Sequence, residues 1–322
     1  MNPTVLVTGS EGQIGSELTD LLRERCGRQN VVAGSLAAPS RQALDDGPAE
    51  QLDVTQKGEL ERVVKGYRID TIYHLAAVLS AVGENDPQLA WSVNMQGLKN
   101  VLDVSKESGI SRVFWPSSIA VFGPDAPKRM TPQDTPLNPT TMYGVTKVSG
   151  ELLCRYYSLK FGVDVRCVRF PGLISNKTRP GGGTTDYAVE IFYSAIDSGR
   201  YTCFVRADTM LPMMYMPDAL RGAMELMEAP SGLVKRHSGY NLAAMSFSAS
   251  ELAAEIAKHL PAFVCDYRPD SRQVVADGWP ESVSDVDARR DWGWVPRYDL
   301  AAMTEDMILK LTARLKGKPK KG

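Results

Sequence analysis

Tyr143 and Lys147, in the run Thr140-Thr-Met-Tyr-Gly-Val-Thr-Lys147, are the residues whose types and spacing speak most directly of chemistry. On a helix, positions four apart share a face one turn from each other. An ammonium group beside a phenol favours the phenolate, drawing a tyrosine down from its ordinary pKa of about 10. Such a phenol can take a proton from a hydroxyl or give one to a carbonyl. The pair recurs by chance in unrelated chains, so its meaning depends on what else the sequence brings near it.

The second chemical signal lies at the start of the chain. Val5, Leu6 and Val7 form an apolar run without alternation, as in a strand buried on both faces of a parallel sheet. Gly9, Gly12 and Gly15 follow at intervals of three, and Ile14, Leu18, Leu21 and Leu22 then repeat at helical spacing. Strand, glycine turn and helix together aim free backbone N–H groups and the positive end of a helix dipole at one point, a seat for a pyrophosphate. Glycine is required where a side chain would block the turn, the phosphate or the packing of helix on strand. The spacing is G-x-x-G-x-x-G.

Placing these two signals together takes a sheet. Apolar runs at 30–34, around 50–53 (a short third strand ending at Asp53), 70–77, 112–115 and 163–170 alternate with helical patterns at 14–22, 60–64, 90–107 and 140–161. That rhythm predicts right-handed crossovers and an α/β fold, a Rossmann-type doubly wound parallel sheet. Val148, Leu152, Leu153 and Tyr156 mark one apolar side of the 140–161 helix, and a proline-rich loop fills 116–139. Residues 1–172 form the expected dinucleotide-binding domain. Residues 173–322 form a smaller, interleaved C-terminal α+β substrate domain, with segments near 209–245 returning to the first. In that part, helices are expected at 186–197, 217–228 and 248–259, strands at 201–205, 239–242 and 263–267, and a mobile loop at Gly181-Gly-Gly183.

Composition narrows the classes of function. With 322 residues, 43% hydrophobic and 23% charged, the chain is an ordinary globular sequence. A net charge of −1 gives no case for nucleic acid, and the basic tail Lys316, Lys318, Lys320, Lys321 reads as a solvated end. No apolar run approaches the ~18 residues of a membrane span. Cys26, Cys154, Cys167, Cys203 and Cys265 are scattered, as reduced thiols in a cytoplasmic protein would be. His74, His237 and His259 stand at no ligand spacing, so no metal is expected.

With the glycine turn, the sheet and the Tyr143/Lys147 pair on hand, the chain resembles the extended short-chain dehydrogenase/reductases, the class that includes the sugar-nucleotide epimerases. That resemblance implies NAD. It matches Gly9, Gly12 and Gly15 to the pyrophosphate turn, Gln13 and Ile14 to its flanking donors, and Asp53-Val54 to the adenine. It matches Leu75-Ala76-Ala77 to the turn under the adenosine half, Asn94 to an amide bracing the active-site lysine, and Leu173 to the nicotinamide stretch. In Pro116-Ser117-Ser118, Ser118 is implied as the hydroxyl on the reacting oxygen, while Ser117 contacts the cofactor or satisfies backbone. Lys147 would bond the nicotinamide ribose.

One position departs from the pattern. Where an acid usually holds the adenosine ribose, the chain has Gly34-Ser35-Leu36. Ser35 does not repel a 2′-phosphate as Asp would, and Arg41 is the nearest guanidinium, so NAD is expected with weakened discrimination against NADP.

Within the class, Gly183-Thr184-Thr185-Asp-Tyr-Ala-Val-Glu-Ile-Phe192, Leu211-Pro-Met-Met-Tyr-Met-Pro-Asp218, Trp279-Pro-Glu-Ser282 and Asp291-Trp-Gly-Trp-Val-Pro296 resemble the short-chain type of L-threonine 3-dehydrogenases. Phe170-Pro171-Gly172 also lacks the asparagine that epimerases set against a sugar diphosphate. The resemblance implies oxidation of the C3 hydroxyl of L-threonine to 2-amino-3-oxobutanoate, with Tyr143 as general base. Ser80, Thr184 and Thr185 are expected on the amino acid, the two threonines alternatively as helix caps, and Arg179 on its carboxylate beneath a closing loop. A homodimer through helices 90–107 and 140–161 is expected. The rivals are an extended dehydrogenase or epimerase acting on a nucleotide sugar, and a non-catalytic dinucleotide sensor.

Overall fold

Val5, Leu6 and Val7 are buried on both sides because their strand is central. In the computed structural model, which describes residues 3–179 and 181–316, β1 (Val5–Thr8) lies between two parallel neighbours. Leu6 faces one apolar cluster and Val5 and Val7 the other, the alternation of a pleated strand with covered faces. The basic tail beyond Lys316 lies outside the described residues.

The first half proceeds as β1, α1 (Gln13–Cys26), β2 (Val31–Ser35), α2 (Arg41–Asp45), β3 (Ala49–Gln51), α3 (Lys57–Tyr67), β4 (Thr71–His74), α4 (Ser80–Asn85), α5 (Pro87–Trp91), α6 (Gly97–Ser108), β5 (Arg112–Ser118), α7 (Met142–Phe161) and β6 (Val165–Phe170). β3 stops at Gln51, two residues short of the expected end. Asp53 instead makes a turn, its carboxylate accepting from the Thr55 backbone N–H (2.9 Å) and hydroxyl (2.8 Å). The helix expected over 90–107 is interrupted: α5 and α6 are joined by a π-helical turn, Ser92–Gln96.

The second half runs β7 (Gly172–Ile174), α8 (Tyr187–Asp197), β8 (Arg200–Cys203), β9 (Met210–Tyr215), α9 (Met216–Glu228), β10 (Tyr240–Asn241), β11 (Met245–Ser248), α10 (Ala249–His259), β12 (Val264–Tyr267), α11 (Arg272–Gly278), α12 (Val286–Trp292) and α13 (Leu300–Lys316).

The main sheet has seven parallel strands in the order β10-β6-β5-β4-β1-β2-β3. From β1 the chain passes outward to β2 on one side and β4 on the other, so the strand order reverses there. A crevice opens at the carboxyl ends of those strands, where open α/β sheets bind ligands. One face is covered by α3, α6 and α7, the other by α1, α9 and α12. β10 returns to the large sheet beside β6. A smaller mixed sheet, β11-β9-β7, and the β12-β8 pair carry a second core with α8, α10 and α13.

Candidate active site

α7 delivers the two chemical side chains, and it does so with its polar face inward. Thr141 caps it by accepting from the Gly144 N–H at 3.1 Å. The buried positions are Gly144, Thr146, Lys147, Gly150, Glu151, Cys154 and Tyr157, while Leu152 and Tyr156 stand in solvent. The apolar side read from the sequence is therefore not the packed side; Val148 and Leu153 are half-buried against different cores. Gly150 permits this: a Cβ there would stand 2.3 Å from the Trp115 ring. The helix sinks onto β5, and Lys147 reaches the Pro116 carbonyl, donating at 2.6 Å, with its ammonium 4.6 Å from the centre of the Trp115 ring.

Tyr143 lies one turn before, its ring centre 5.4 Å from the Lys147 ammonium. Ser118 ends β5 facing the phenol, and its hydroxyl also accepts from the Ala120 N–H at 3.1 Å. The electrostatics differ from the expectation drawn from spacing. Desolvation pushes the Tyr143 phenol up to about 12, with only the Ser118 hydroxyl drawing it back, and burial pulls Lys147 down to about 8. The ammonium stands over the ring and donates to the Pro116 carbonyl, so it does not depress the phenol. His74 at the end of β4 is fully buried and held neutral, pulled down to about 3 by burial and by Lys147. Its Nδ1 pairs with the Thr8 hydroxyl at 2.7 Å, and its Nε2 has no partner.

Ser118, Tyr143 and Lys147 line one pocket at the carboxyl ends of β1, β4 and β5. Gln13 and Ile14 enter it from the glycine turn, Leu75, Ala77 and Ser80 from the loop after β4, and Ser117 and Ser118 from β5. Tyr143 and Lys147 come from α7, Leu173 from β7, and Thr184 and Thr185 from the approach to α8. Ser117 does not end on backbone: its hydroxyl donates to the Glu151 carboxylate at 2.6 Å. Neither threonine caps α8 through its side chain. Asp186 has that region's turn instead, accepting from the Gly182 and Gly183 N–H groups.

Gly9, Gly12 and Gly15 form the floor behind Gln13. Gly9 has φ +69, and a Cβ there would stand 2.6 Å from the Ala76 nitrogen; one on Gly15 would stand 2.1 Å from the Gly9 carbonyl oxygen. Gly12 precedes α1 with no side-chain cap, leaving the first N–H groups of the helix for a ligand. The buried Gln13 Nε2 has no partner. An uncapped helix start, glycines packed too closely for any side chain and an orphaned amide donor fit a dinucleotide pyrophosphate.

Several expected residues stand elsewhere. Asn94 lies in the π-helical turn and does not reach Lys147. Its amide exchanges hydrogen bonds with the backbone of Val78 (2.7 and 3.1 Å) and donates to Thr146 Oγ1 at 3.1 Å. Val54 is packed against Gly97, and Asp53 lines a separate depression at the sheet edge with Leu36 and Arg62. Ser35 is buried and already donates to the Ala37 carbonyl at 2.9 Å. Arg179 is not in the pocket: its guanidinium stacks 4.7 Å from the centre of the Tyr193 ring and borders another cavity. The aromatic face there outcompeted the loop.

Sequence reasoning missed Leu79, Ile119, Asp186 and Trp279, all pocket-lining. Asp186 is the one carboxylate among the lining residues, and burial pushes its pKa up. Its position directly after the Thr184-Thr185 pair was the available signal.

The model of the NAD dependent epimerase/dehydratase family matches residues 5–243. The chain belongs to that family. Its cofactor is accordingly NAD. Among the family's curated members, an uncharacterized epimerase/dehydratase of Staphylococcus haemolyticus is 49% identical over 94% of this chain and 96% of its own length. The solved L-threonine dehydrogenase of Cupriavidus necator in its holo form is 51% identical, with a TM-score of 0.94 over 96% of this chain and 100% of that one. A monomeric L-threonine 3-dehydrogenase from a metagenome, in its apo form, is 51% identical with a TM-score of 0.93 over 97% of this chain and 99% of that one. No helix among the described residues is long and apolar enough to cross a membrane.

Proposed function

We propose that the protein is an NAD-dependent L-threonine 3-dehydrogenase, converting the C3 hydroxyl of L-threonine to the ketone of 2-amino-3-oxobutanoate. The observation that carries the reading is the convergence of Ser118, Tyr143 and Lys147 in a pocket that Gln13 and Ile14, at the start of α1, also line. The substrate follows from solved relatives about half identical over nearly the whole chain, each described as an L-threonine dehydrogenase.

NAD, when bound, supplies the acceptor for the hydride leaving C3. Tyr143 takes the proton of the β-hydroxyl, and Ser118 holds the same oxygen. Lys147 would hold the ribose of the bound cofactor, and its ammonium, turned from the Pro116 carbonyl to the phenol oxygen, would lower the phenol's pKa. Burial disfavours the phenolate, and that penalty is offset only once a cation faces the phenol oxygen. Ser80, Thr184 and Thr185 offer hydroxyls to the amino acid, and the Asp186 carboxylate suits its ammonium group. Phe170, Pro171 and Gly172 present no side-chain amide to a sugar diphosphate. Ser35 lacks the charge that repels a 2′-phosphate, so NADP is used as well, with lower kcat/KM than NAD.

The test is an initial-rate comparison of L-threonine, L-serine and L-allo-threonine with NAD, run beside UDP-sugars. Saturable NADH formation with L-threonine and no altered sugar is expected. Turnover of a UDP-sugar without threonine oxidation establishes the epimerase, and NAD binding without either reaction the sensor.

A further inference from the structure

Behind Tyr143 and Lys147 lies a buried ion pair that the proposed reaction does not use. Glu151 follows Lys147 by one turn of α7, and its carboxylate meets Arg169 of β6 at 2.7 Å (Oε2 to Nη2) and 2.8 Å (Oε1 to Nε). The two side chains are 1% and 5% exposed. Taking such charges out of water is costly, and apolar residues of similar volume often hold a fold as well or better. Stability alone is thus a weak reason for the pair.

The carboxylate has a third partner. Glu151 Oε1 also accepts from the Ser117 hydroxyl at 2.6 Å. Ser117 sits between the two groups on which the site depends: the Pro116 carbonyl holds the Lys147 ammonium, and the Ser118 hydroxyl faces the phenol. The ladder sets Ser117 opposite Arg169 and Ser118 opposite Phe170, so the ion pair grips β5 at the register of the site. Arg169 is fixed in turn, its Nη1 donating to the Gln133 carbonyl (3.0 Å) and Asn241 Oδ1 (3.2 Å). Gly239, at φ +113, lets its backbone close over the carboxylate, where a Cβ would stand 3.1 Å from Oε1.

The geometry points to Glu151 and Arg169 as positioning residues: by clamping Ser117 to α7 they set where the end of β5 stands relative to Tyr143 and Lys147. The kinetic consequence rests on the threonine reading above; the placement of Lys147 does not. The groups facing Lys147 are Tyr143, Glu151 and Cys154 on its own helix, Cys167 on β6 and His74 on β4. Burial pulls the ammonium down and Cys154, Cys167 and Glu151 oppose it; of these three, Glu151, held in its ion pair with Arg169, is the carboxylate.

The experiment uses the full chain carrying Ser117→Ala, Ser117→Thr or Glu151→Gln, with folding checked by thermal unfolding. Two readouts are taken: kcat and KM with NAD and L-threonine, and titration of Lys147 by NMR of ε-13C-lysine, its resonance assigned by loss in Lys147→Met. Ser117→Ala should lower kcat by ~10-fold to 100-fold, as small misplacements do, with KM for NAD unchanged. Ser117→Thr, which keeps the hydroxyl, should restore it. Glu151→Gln should move the Lys147 midpoint below its starting value of about 8, because the ammonium loses its counter-charge. Wild-type kcat in Ser117→Ala, or an unmoved Lys147 midpoint in Glu151→Gln, overturns the proposal. If the unaltered protein oxidises no threonine, the substrate reading fails on its own, and the lysine titration still decides this one.

Discussion

Tyr143 is the residue on which turnover depends most. Tyr143→Phe should cost ~10²-fold to 10⁴-fold in kcat, the usual worth of a general base, while NAD titrates as before. Near wild-type turnover would take the phenol out of the mechanism. His74 carries a prediction of a different kind. Its buried imidazole stays neutral down to about 3, whereas in the unfolded chain it takes a proton near the ordinary 6.5. Between those values the unfolded state binds more protons, so stability falls as pH is lowered, with this group contributing about 1.4 kcal/mol per pH step at most. Urea unfolding of the wild type and His74→Gln from pH 6.5 to 4 should show a shallower slope in the variant, in which Gln can still meet Thr8. The spacing of Tyr143 and Lys147 was legible in the sequence, but the direction of their pKa values was not. Those directions depend on how deeply α7 sinks onto Trp115, which Gly150, one turn beyond Lys147, permits through a contact the sequence does not display. The place of Arg179 was not legible for a similar reason, since Tyr193, its stacking partner, becomes its neighbour only through the fold.

At the scale of elements, the strand-turn-helix opening and much of the alternation through β6 could be read from periodicity because β1, β2 and β5 carry short apolar runs and α1, α3 and α6 repeat apolar residues at helical spacing. The small sheet could not. β7 has three residues, β9 contains Pro212, and β11 alternates too briefly to register, so their pairing is a product of tertiary packing. The helices α11 and α12, seven residues each and without a side-chain cap, leave little signal, whereas α13 has Met303, Met307 and Leu311 at helical spacing and Asp299 accepting from the Ala302 N–H. The glycine turn offers a clean comparison. Gly15→Ala places a methyl group 2.1 Å from the Gly9 carbonyl oxygen, whereas Gly66→Ala in α3 meets nothing within 4 Å. Thermal unfolding and NAD titration should show Gly15→Ala destabilised by about 1–3 kcal/mol with cofactor binding impaired. Gly66→Ala should bind as the wild type and gain about 0.5–1 kcal/mol. Equal behaviour of the two would sink the view that this turn is built for close approach.

The whole molecule presents an apolar stripe to solvent. Val145, Leu152, Tyr156 and Leu159 lie along the outer side of α7, with Leu159 72% exposed, and Leu89 and Trp91 of the neighbouring α5 are also exposed. A helix that buries Lys147 and Glu151 and leaves Leu152, Tyr156 and Leu159 outside, beside the exposed Arg155 and Lys160, suits an interface with a second copy. Light scattering should therefore give the mass of a dimer, and the double substitution Leu152→Glu, Leu159→Glu that of a single chain. A relative half identical to this one is described as monomeric, so the comparison is a discriminating one. A single-chain mass for the unaltered protein would mean that the stripe remains in water.

The wide turn at Ser92–Gln96 has a bearing on which changes of length the chain can absorb. A π-helical turn holds one residue more than the α-helical ladder requires, so the segments on either side keep their facing when that surplus is removed. Deleting Met95 should accordingly yield a folded protein in which α5 and α6 become continuous. The missing residue would be felt at a distance, as faster amide exchange around Val78, once the carboxamide of Asn94 has swung off its grip.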